Sequence, residues 1–192
     1  MMKKSIIFLL IIIVITSFFV GCTVSAELEE KNTTEVAAET TGFGAAGAKD
    51  KENLSVKEMI KYTIEDEYLA RQEYELIMDE FGQQRPFSNI IKAEEYHIEL
   101  LEEIYETYGY EVPENVSKNY VILPESIQHA FETGVVAEIN NIAMYEKFLE
   151  EDLPEDIRET FEELRDASKN HLRAFERRST RNGNGHGNGK GW

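Results

Sequence analysis

Hydrophobic residues recur every three to four positions in four segments of the chain, which is the period of an amphipathic α-helix. The segments span residues 53–81, 88–108, 126–151 and 154–178. Ser88 is a plausible N-cap, and Pro154 suits the first turn of a helix. No segment shows the alternation expected of a strand. The pattern predicts an all-α fold.

The connections between these segments predict how the helices are arranged. The loops near residues 82–87 and 152–155 are short, so each should join an antiparallel pair. The connection over residues 110–125 has 16 residues, and an extended chain of that length reaches at most roughly 53 Å. A helix of about 24 residues is about 36 Å long. The loop can therefore cross the whole molecule, which favours a ferritin-like four-helix bundle with a long crossover between helices two and three.

The two ends of the chain differ from the middle. Residues 1–21 combine Lys3 and Lys4 with an apolar run of about 15 residues, shorter than the roughly 20 of a membrane-spanning helix. The run ends in Phe-Val-Gly-Cys, which resembles the lipobox of prokaryotic lipoproteins, with Cys22 as the lipid-modified residue. We expect a lipoprotein signal over 1–21, a flexible tether over 22–52, a bundle over 53–180 and a disordered Gly/Asn-rich tail over 181–192. This organisation predicts an extracytoplasmic protein that is anchored to the cell membrane through lipid.

The formal net charge is −17, which bears on the choice of partners but identifies no ligand by itself. Such a charge disfavours nucleic acid as a partner and favours cations near the surface. Solubility alone also explains it. Cys22 is the only cysteine, so an intramolecular disulfide is excluded, and the core or a metal must stabilise the domain.

Acidic and histidine residues interrupt the apolar faces of all four predicted helices. Glu67, Glu94 and Glu138 each lie near the middle of a helix, and burial of such carboxylates without positive charge costs several kcal/mol. Glu94 and His97 are three residues apart and share a helical face, and His171 lies on the fourth helix. Carboxylate and imidazole ligands suit iron, manganese or zinc. The sequence therefore predicts a metal site for one or two ions in the bundle core.

Other residues on these faces are candidates for supporting the ligands. Tyr74, Asn141 and Tyr145 could hydrogen-bond to the ligands, although ordinary helix packing also explains them. Ser168 occupies the position one turn before His171, where a symmetric di-metal site would have Glu. We therefore expect an asymmetric site, in which the ion near Glu138 and His171 is the weaker one.

These residues give the chain a resemblance to a ferritin-like family of unknown function in secreted prokaryotic proteins. The matching runs are EDEYLARQEY (65–74), FSNIIKAEEYHIELL (87–101) and NHLRAF (170–175). The resemblance covers about residues 53–180 and implies the fold and a metal site. We expect one or two ions of iron there, with manganese or zinc as alternatives. It does not imply a reaction.

Three functions remain open from the sequence. The first is redox chemistry of iron with Fe(II), oxygen or peroxide; if the protein is an enzyme, this would be a di-iron-type oxidoreductase similar to a ferroxidase or peroxidase. The second is a metal-stabilised interaction module on a lipid tether. The third is a metal-free helical adaptor. Catalytic residues, protein partners and oligomeric state are not predicted, although an oligomer is compatible with the sequence.

Substitution of Cys22→Ser tests the predicted anchor. Because a lipid would be attached to the thiol, we expect the variant to leave the membrane fraction or to accumulate as an uncleaved precursor. Cell fractionation with immunodetection measures both. Unchanged membrane attachment together with an unchanged mature size would show that the prediction is wrong.

Overall fold

A computed structural model describes residues 42–183 of the protein, and this part of the chain is all-α with no strand. The four long helices have 21–29 residues each. A short helix precedes them, and a 3₁₀ turn, Ser117–Asn119, lies in the long connection. The α-helices are α1 (Gly44–Ala48), α2 (Val56–Phe81), α3 (Phe87–Thr107), α4 (Ile127–Leu149) and α5 (Glu155–Gly183).

Local capping interactions explain where two of the long helices begin. The Ser55 side chain accepts the Glu58 N–H, and the Glu58 carboxylate accepts the Ser55 N–H at 2.8 Å, which forms a capping box at α2. Ser126 accepts the His129 N–H at 3.1 Å at the start of α4. Ser88 was predicted as the N-cap of α3, but Pro86 occupies that position and Ser88 lies inside the helix.

Two hydrophobic clusters fill the space between the long helices. One cluster includes Ile64 and Phe161 from the N-terminal halves of α2 and α5, and Leu101 and Phe148 from the C-terminal halves of α3 and α4. The other cluster is built from the opposite halves of the same helices, as shown by Ile77 of α2, Phe87 of α3, Phe131 of α4 and Phe175 of α5. The five predicted metal ligands lie between these clusters along each helix.

Helix α1 lies within residues 22–52, where the sequence predicted a flexible tether. Phe43 and Ala48 are 4% and 1% exposed, and Phe43 stacks on Tyr120 in the long connection with ring centroids 4.3 Å apart. The Lys147 ammonium group of α4 donates to the carbonyls of Ala48 and Lys49, each at 3.1 Å. The prediction missed this segment because a single turn of small residues has no amphipathic period.

Within residues 42–183, no helix is both long and apolar enough to cross a membrane. The signal over 1–21, Cys22 and residues 184–192 of the expected tail lie outside the described residues. The C-terminal helix continues to Gly183, three residues beyond the expected end of the bundle at 180.

Gly47 provides a test of how tightly α1 is packed. A Cβ atom there would lie 2.6 Å from the backbone of Gly42 and 2.8 Å from the Tyr62 ring, whereas a Cβ at Gly42 would have nothing within 4 Å. We expect Gly47→Ala to reduce the free energy of unfolding by about 1–3 kcal/mol through overpacking, and to increase hydrogen exchange at the Ala45 amide. Gly42→Ala is the matched control. Equal stability of the two variants in denaturant titrations would contradict tight packing.

Candidate metal centre

The structure brings the five residues predicted as metal ligands into one cluster in which Glu94 is central. The Nδ1 atom of His97 lies 3.0 Å from one oxygen of Glu94 and 3.1 Å from Glu67. The other oxygen of Glu94 lies 3.3 Å from Nδ1 of His171, and that atom is 3.4 Å from Glu138. The cluster therefore consists of two groups that share Glu94.

Each group could hold a metal ion. Glu67, Glu94 and His97 form one group, and Glu94, Glu138 and His171 form the other. Within each group the candidate ligand atoms lie within 4.8 Å of one another. All five residues are buried, each at most 9% exposed as a whole residue. A mixed set of carboxylate and imidazole ligands suits iron, manganese or zinc, so the ligand atoms alone do not select one metal.

In the first group, the Nδ1 atom of His97 lies between two carboxylates, and the pKa values of all three residues are shifted. Burial and the neighbouring Glu67 carboxylate raise the pKa of Glu94 well above its usual value. Burial alone would lower the pKa of His97, but Glu67 and Glu94 raise it to about 10. Burial opposes ionisation of Glu67, but His97, Glu94 and Tyr145 together lower its pKa to about 2. A protonated imidazole between carboxylates thus occupies the place where a cation would balance the charge.

Two tyrosines orient the carboxylates, one in each group. The Tyr145 hydroxyl donates to Glu67 at 2.8 Å, and the Tyr74 hydroxyl donates to Glu138 at 3.2 Å. Burial and the surrounding glutamates raise the pKa of both phenols well above the usual value, so both remain donors. Each of these bonds uses one carboxylate oxygen and restricts the rotation of the side chain.

The second group contains a polar atom that a cation would satisfy. The Oε2 atom of Glu138 is buried and has no hydrogen-bond partner, and the same is true of the Oδ1 atom of Asn141 one turn later on α4. A buried acceptor without a partner costs roughly 1–3 kcal/mol. Ser168 is 4% exposed and precedes His171 by one turn on α5, so this group has no second carboxylate from that helix. The ligand set fits a cation here, with fewer charged ligands than a symmetric site would have.

The positively charged side chain nearest to Glu67 in the sequence does not neutralise the cluster. Arg71 is partly exposed and contacts Glu75 at 2.9 Å and Glu95 at 3.8 Å. Among the described residues, a protonated His97 supplies positive charge within the cluster.

Sequence reasoning missed two acidic residues beside the cluster, Asp66 and Glu73 of α2. Burial, opposed by a hydrogen bond from the Ala45 N–H, raises the pKa of Asp66 to about 7. Burial and the charge of Glu138 raise the pKa of Glu73 to about 7. Both residues lie off the apolar stripe of α2, so no periodic signal marked them. Only the packing of α1 and α4 against α2 encloses them.

Comparison with known proteins shows a structural likeness. No protein-family model matches the chain, and no curated protein matches it. The fold is similar to the crystal structure of a hypothetical protein from Methanococcus jannaschii DSM 2661, with a TM-score of 0.60 and 26% sequence identity. The alignment covers 69% of this chain and 85% of that chain. This likeness supports the helical fold and gives no information about function.

The missing carboxylate on α5 gives a testable prediction for the second group. A Ser168→Glu substitution places a charged ligand one turn before His171, so we expect tighter binding of an ion by Glu138 and His171. Ala167→Glu adds the same charge at the neighbouring position, which points to another face of α5. Anaerobic titration with Fe(II), followed by metal analysis, measures the occupancy. Two equally tight ions in the wild-type protein, with no gain in Ser168→Glu, would mean that another residue completes the group.

Proposed function

We propose that the protein is a ferritin-like metal-binding protein that binds iron and carries out redox chemistry with Fe(II), oxygen or peroxide outside the cytoplasm. The observation that carries this proposal is the position of Glu94. Its two carboxylate oxygens approach the two histidines separately, His97 at 3.0 Å and His171 at 3.3 Å. A carboxylate shared in this way between two Glu/His groups is suited to two ions.

The two hydrophobic clusters support the ferritin-like arrangement. One contains the N-terminal halves of α2 and α5 and the C-terminal halves of α3 and α4, and the other contains the opposite halves. This distribution is expected if α2 and α5 run in one direction and α3 and α4 in the other. The connection over residues 108–126 would then run the length of the four-helix bundle, as the crossover in ferritin-like folds does.

The ligand set supports a centre with one tight and one weaker ion. Glu67, Glu94 and Glu138 together provide a charge of about −3 against the +4 of two divalent cations, since each ionised carboxylate carries one charge. His97 and His171 add neutral nitrogen ligands. Bound Fe(II) would donate electrons to oxygen or peroxide, which would act as the oxidant. Iron is preferred to zinc here because a Glu from each of two helices with a Glu-x-x-His pair is typical of di-iron carboxylate proteins.

The surrounding side chains would control the environment of the centre. Tyr145 and Tyr74 hold Glu67 and Glu138 in fixed orientations through their hydroxyl groups. The two hydrophobic clusters lie on either side of the ligands along the helices and keep bulk water away. Both effects fix the ligand geometry before a metal arrives, which reduces the ordering required on binding.

The proposed location depends on the N-terminal sequence alone. Residues 1–22 carry the features of a lipoprotein signal that ends at Cys22. Anchoring through lipid at Cys22 would place the metal centre at the outer surface of the cell membrane, where iron and oxidants reach it without crossing the membrane.

Glu94→Gln tests the proposed function because it changes one atom of the shared carboxylate and removes its charge. We expect the variant to lose stoichiometric iron and the absorbance change that follows when oxygen or peroxide is added to anaerobically loaded protein. Glu95→Gln is the matched control, since its side chain is 53% exposed and lies outside the cluster. Metal analysis and absorbance spectroscopy give two separate readouts.

The same measurements separate the redox protein from the other two hypotheses. Stoichiometric metal without any oxidant-dependent change, combined with a lower melting temperature after chelation, would favour a metal-stabilised module. Protein that binds no metal and keeps its melting temperature in chelator would favour a metal-free adaptor. Equal iron content in the Glu94→Gln and Glu95→Gln variants would contradict the assigned ligand set.

A further inference from the structure

The solvent-facing side of α4 differs from those of the other long helices. Its middle carries four successive exposed positions without charge, namely Val136, Ile139, Asn140 and Ala143. Every exposed position within α2 is Lys, Asp or Glu, and most of the described exposed positions of α3 and α5 are charged as well. Val136 and Ile139 are 58% and 51% exposed. We call these four residues the α4 face.

A groove runs along one side of the α4 face. It encloses about 380 Å³ between α1 and α4, and four of its nine lining residues are alanines. Asn140 and Ala143 belong both to the α4 face and to the lining of the groove. The large aliphatic side chains of Val136 and Ile139 therefore lie beside a recess with small walls. A ridge and a groove on one surface make that surface complementary to itself, which is what a two-fold symmetric dimer requires.

An antiparallel pairing of two α4 helices matches these shapes. If the two-fold axis passes near Ile139 and Asn140, Val136 of one copy lies opposite Ala143 of the second copy. Ile139 then lies opposite Asn140 of the second copy. Each large aliphatic side chain thus faces a smaller residue that lines the groove of the other copy. Alternation of large and small residues allows two helices to approach closely.

The charges at the two ends of the α4 face also favour the antiparallel direction. Glu132 is exposed at the N-terminal end of the face. Lys49 and Lys147 line the groove at the C-terminal end, where the Lys147 ammonium group donates to the Ala48 and Lys49 carbonyls at 3.1 Å. An antiparallel pair brings Glu132 of each copy to the basic end of the other. A parallel pair would place like charges together at both ends.

The net charge of the chain indicates where two copies can meet. At −17 per chain, copies repel one another over most of their surfaces. Between Glu132 and Glu146, the exposed positions of α4 carry no acid, so two copies can approach there. A basic protein would instead find its complement on α3, where five of the exposed residues are glutamates (Glu95, Glu99, Glu102, Glu103 and Glu106).

We propose that the α4 face and the adjoining groove form the interface of a homodimer, in which the α4 helices of two copies pair antiparallel about Ile139 and Asn140. The buried side of α4 carries Glu138 and Tyr145, so this pairing leaves the metal centre within each copy. The proposal goes beyond the proposed function and does not depend on the metal that the centre binds.

Disulfide cross-linking of the full chain in membranes of the native host tests the pairing and its direction. Asn140→Cys places an exposed thiol near the two-fold axis, so mild oxidation should yield a covalent dimer on non-reducing electrophoresis. Glu132→Cys is the matched control, because its thiols in an antiparallel pair would lie roughly 22 Å apart along the helix axis. The parent protein, whose only cysteine is Cys22, measures the background.

Adding a charge to the face tests its role in the same assay. Ile139→Glu, introduced into the Asn140→Cys chain, should reduce the yield of dimer about tenfold or more, since it places two like charges near the axis. Asn89→Glu adds the same charge at an exposed position of α3 and should leave the yield unchanged. Melting temperatures measured by circular dichroism check that both variants fold.

A charge exchange tests the two ends of the face. Glu132→Lys should lower the yield of dimer from the Asn140→Cys chain about two- to fivefold, the range expected for exposed ion pairs. Lys49→Glu in the same chain should restore it.

Three results would overturn the proposal. The first is a yield from Asn140→Cys that does not exceed the background of the parent protein. The second is equal cross-linking of Asn140→Cys and Glu132→Cys, which would indicate a parallel or non-specific contact. The third is protection of the Asn140→Cys thiol from maleimide without any dimer, which would show that a lipid or a different protein covers the face.

Discussion

The burial of three carboxylates in one cluster is the constraint on which the rest of the structure depends. Glu67, Glu94 and Glu138 are each at most 3% exposed, and buried carboxylates repel one another unless protons or cations compensate them. In the absence of a cation, His97 and a protonated Glu94 provide that compensation. The same groups could act as ligands if a metal displaced the protons. The helices must therefore hold these side chains close together, whether protons or a metal ion compensate the charge.

Packing above and below the cluster makes this arrangement possible. The two hydrophobic clusters contribute the apolar burial that offsets the cost of the polar centre. Tyr145 and Tyr74 extend the polar network outward with one hydrogen bond to each terminal carboxylate. Because every member contacts its neighbours, changes at one position should affect several ligands, which is usual in buried polar networks.

The α1 segment connects the centre to the N-terminal part of the chain. The Ala48 carbonyl accepts a hydrogen bond from the Lys147 ammonium group, and the Ala45 N–H donates to Asp66, which precedes the candidate ligand Glu67. The segment also brings Phe43 against Tyr120 in the connection between α3 and α4. One short turn of small residues thus touches α2, α4 and the long connection together.

The sequence by itself determined the four long helices and the burial of the five candidate ligands. A period of 3.6 residues places Ile64, Glu67 and Tyr74 on one face of α2, whichever partner covers that face. The sequence also indicated that Ser168 leaves one group short of a carboxylate. Periodicity cannot determine distances between helices. The sharing of Glu94 between His97 and His171 therefore depended on tertiary packing. The same holds for α1 and for the surroundings of Asp66 and Glu73, because one helical turn and residues beside an apolar stripe are enclosed only when other helices pack against them.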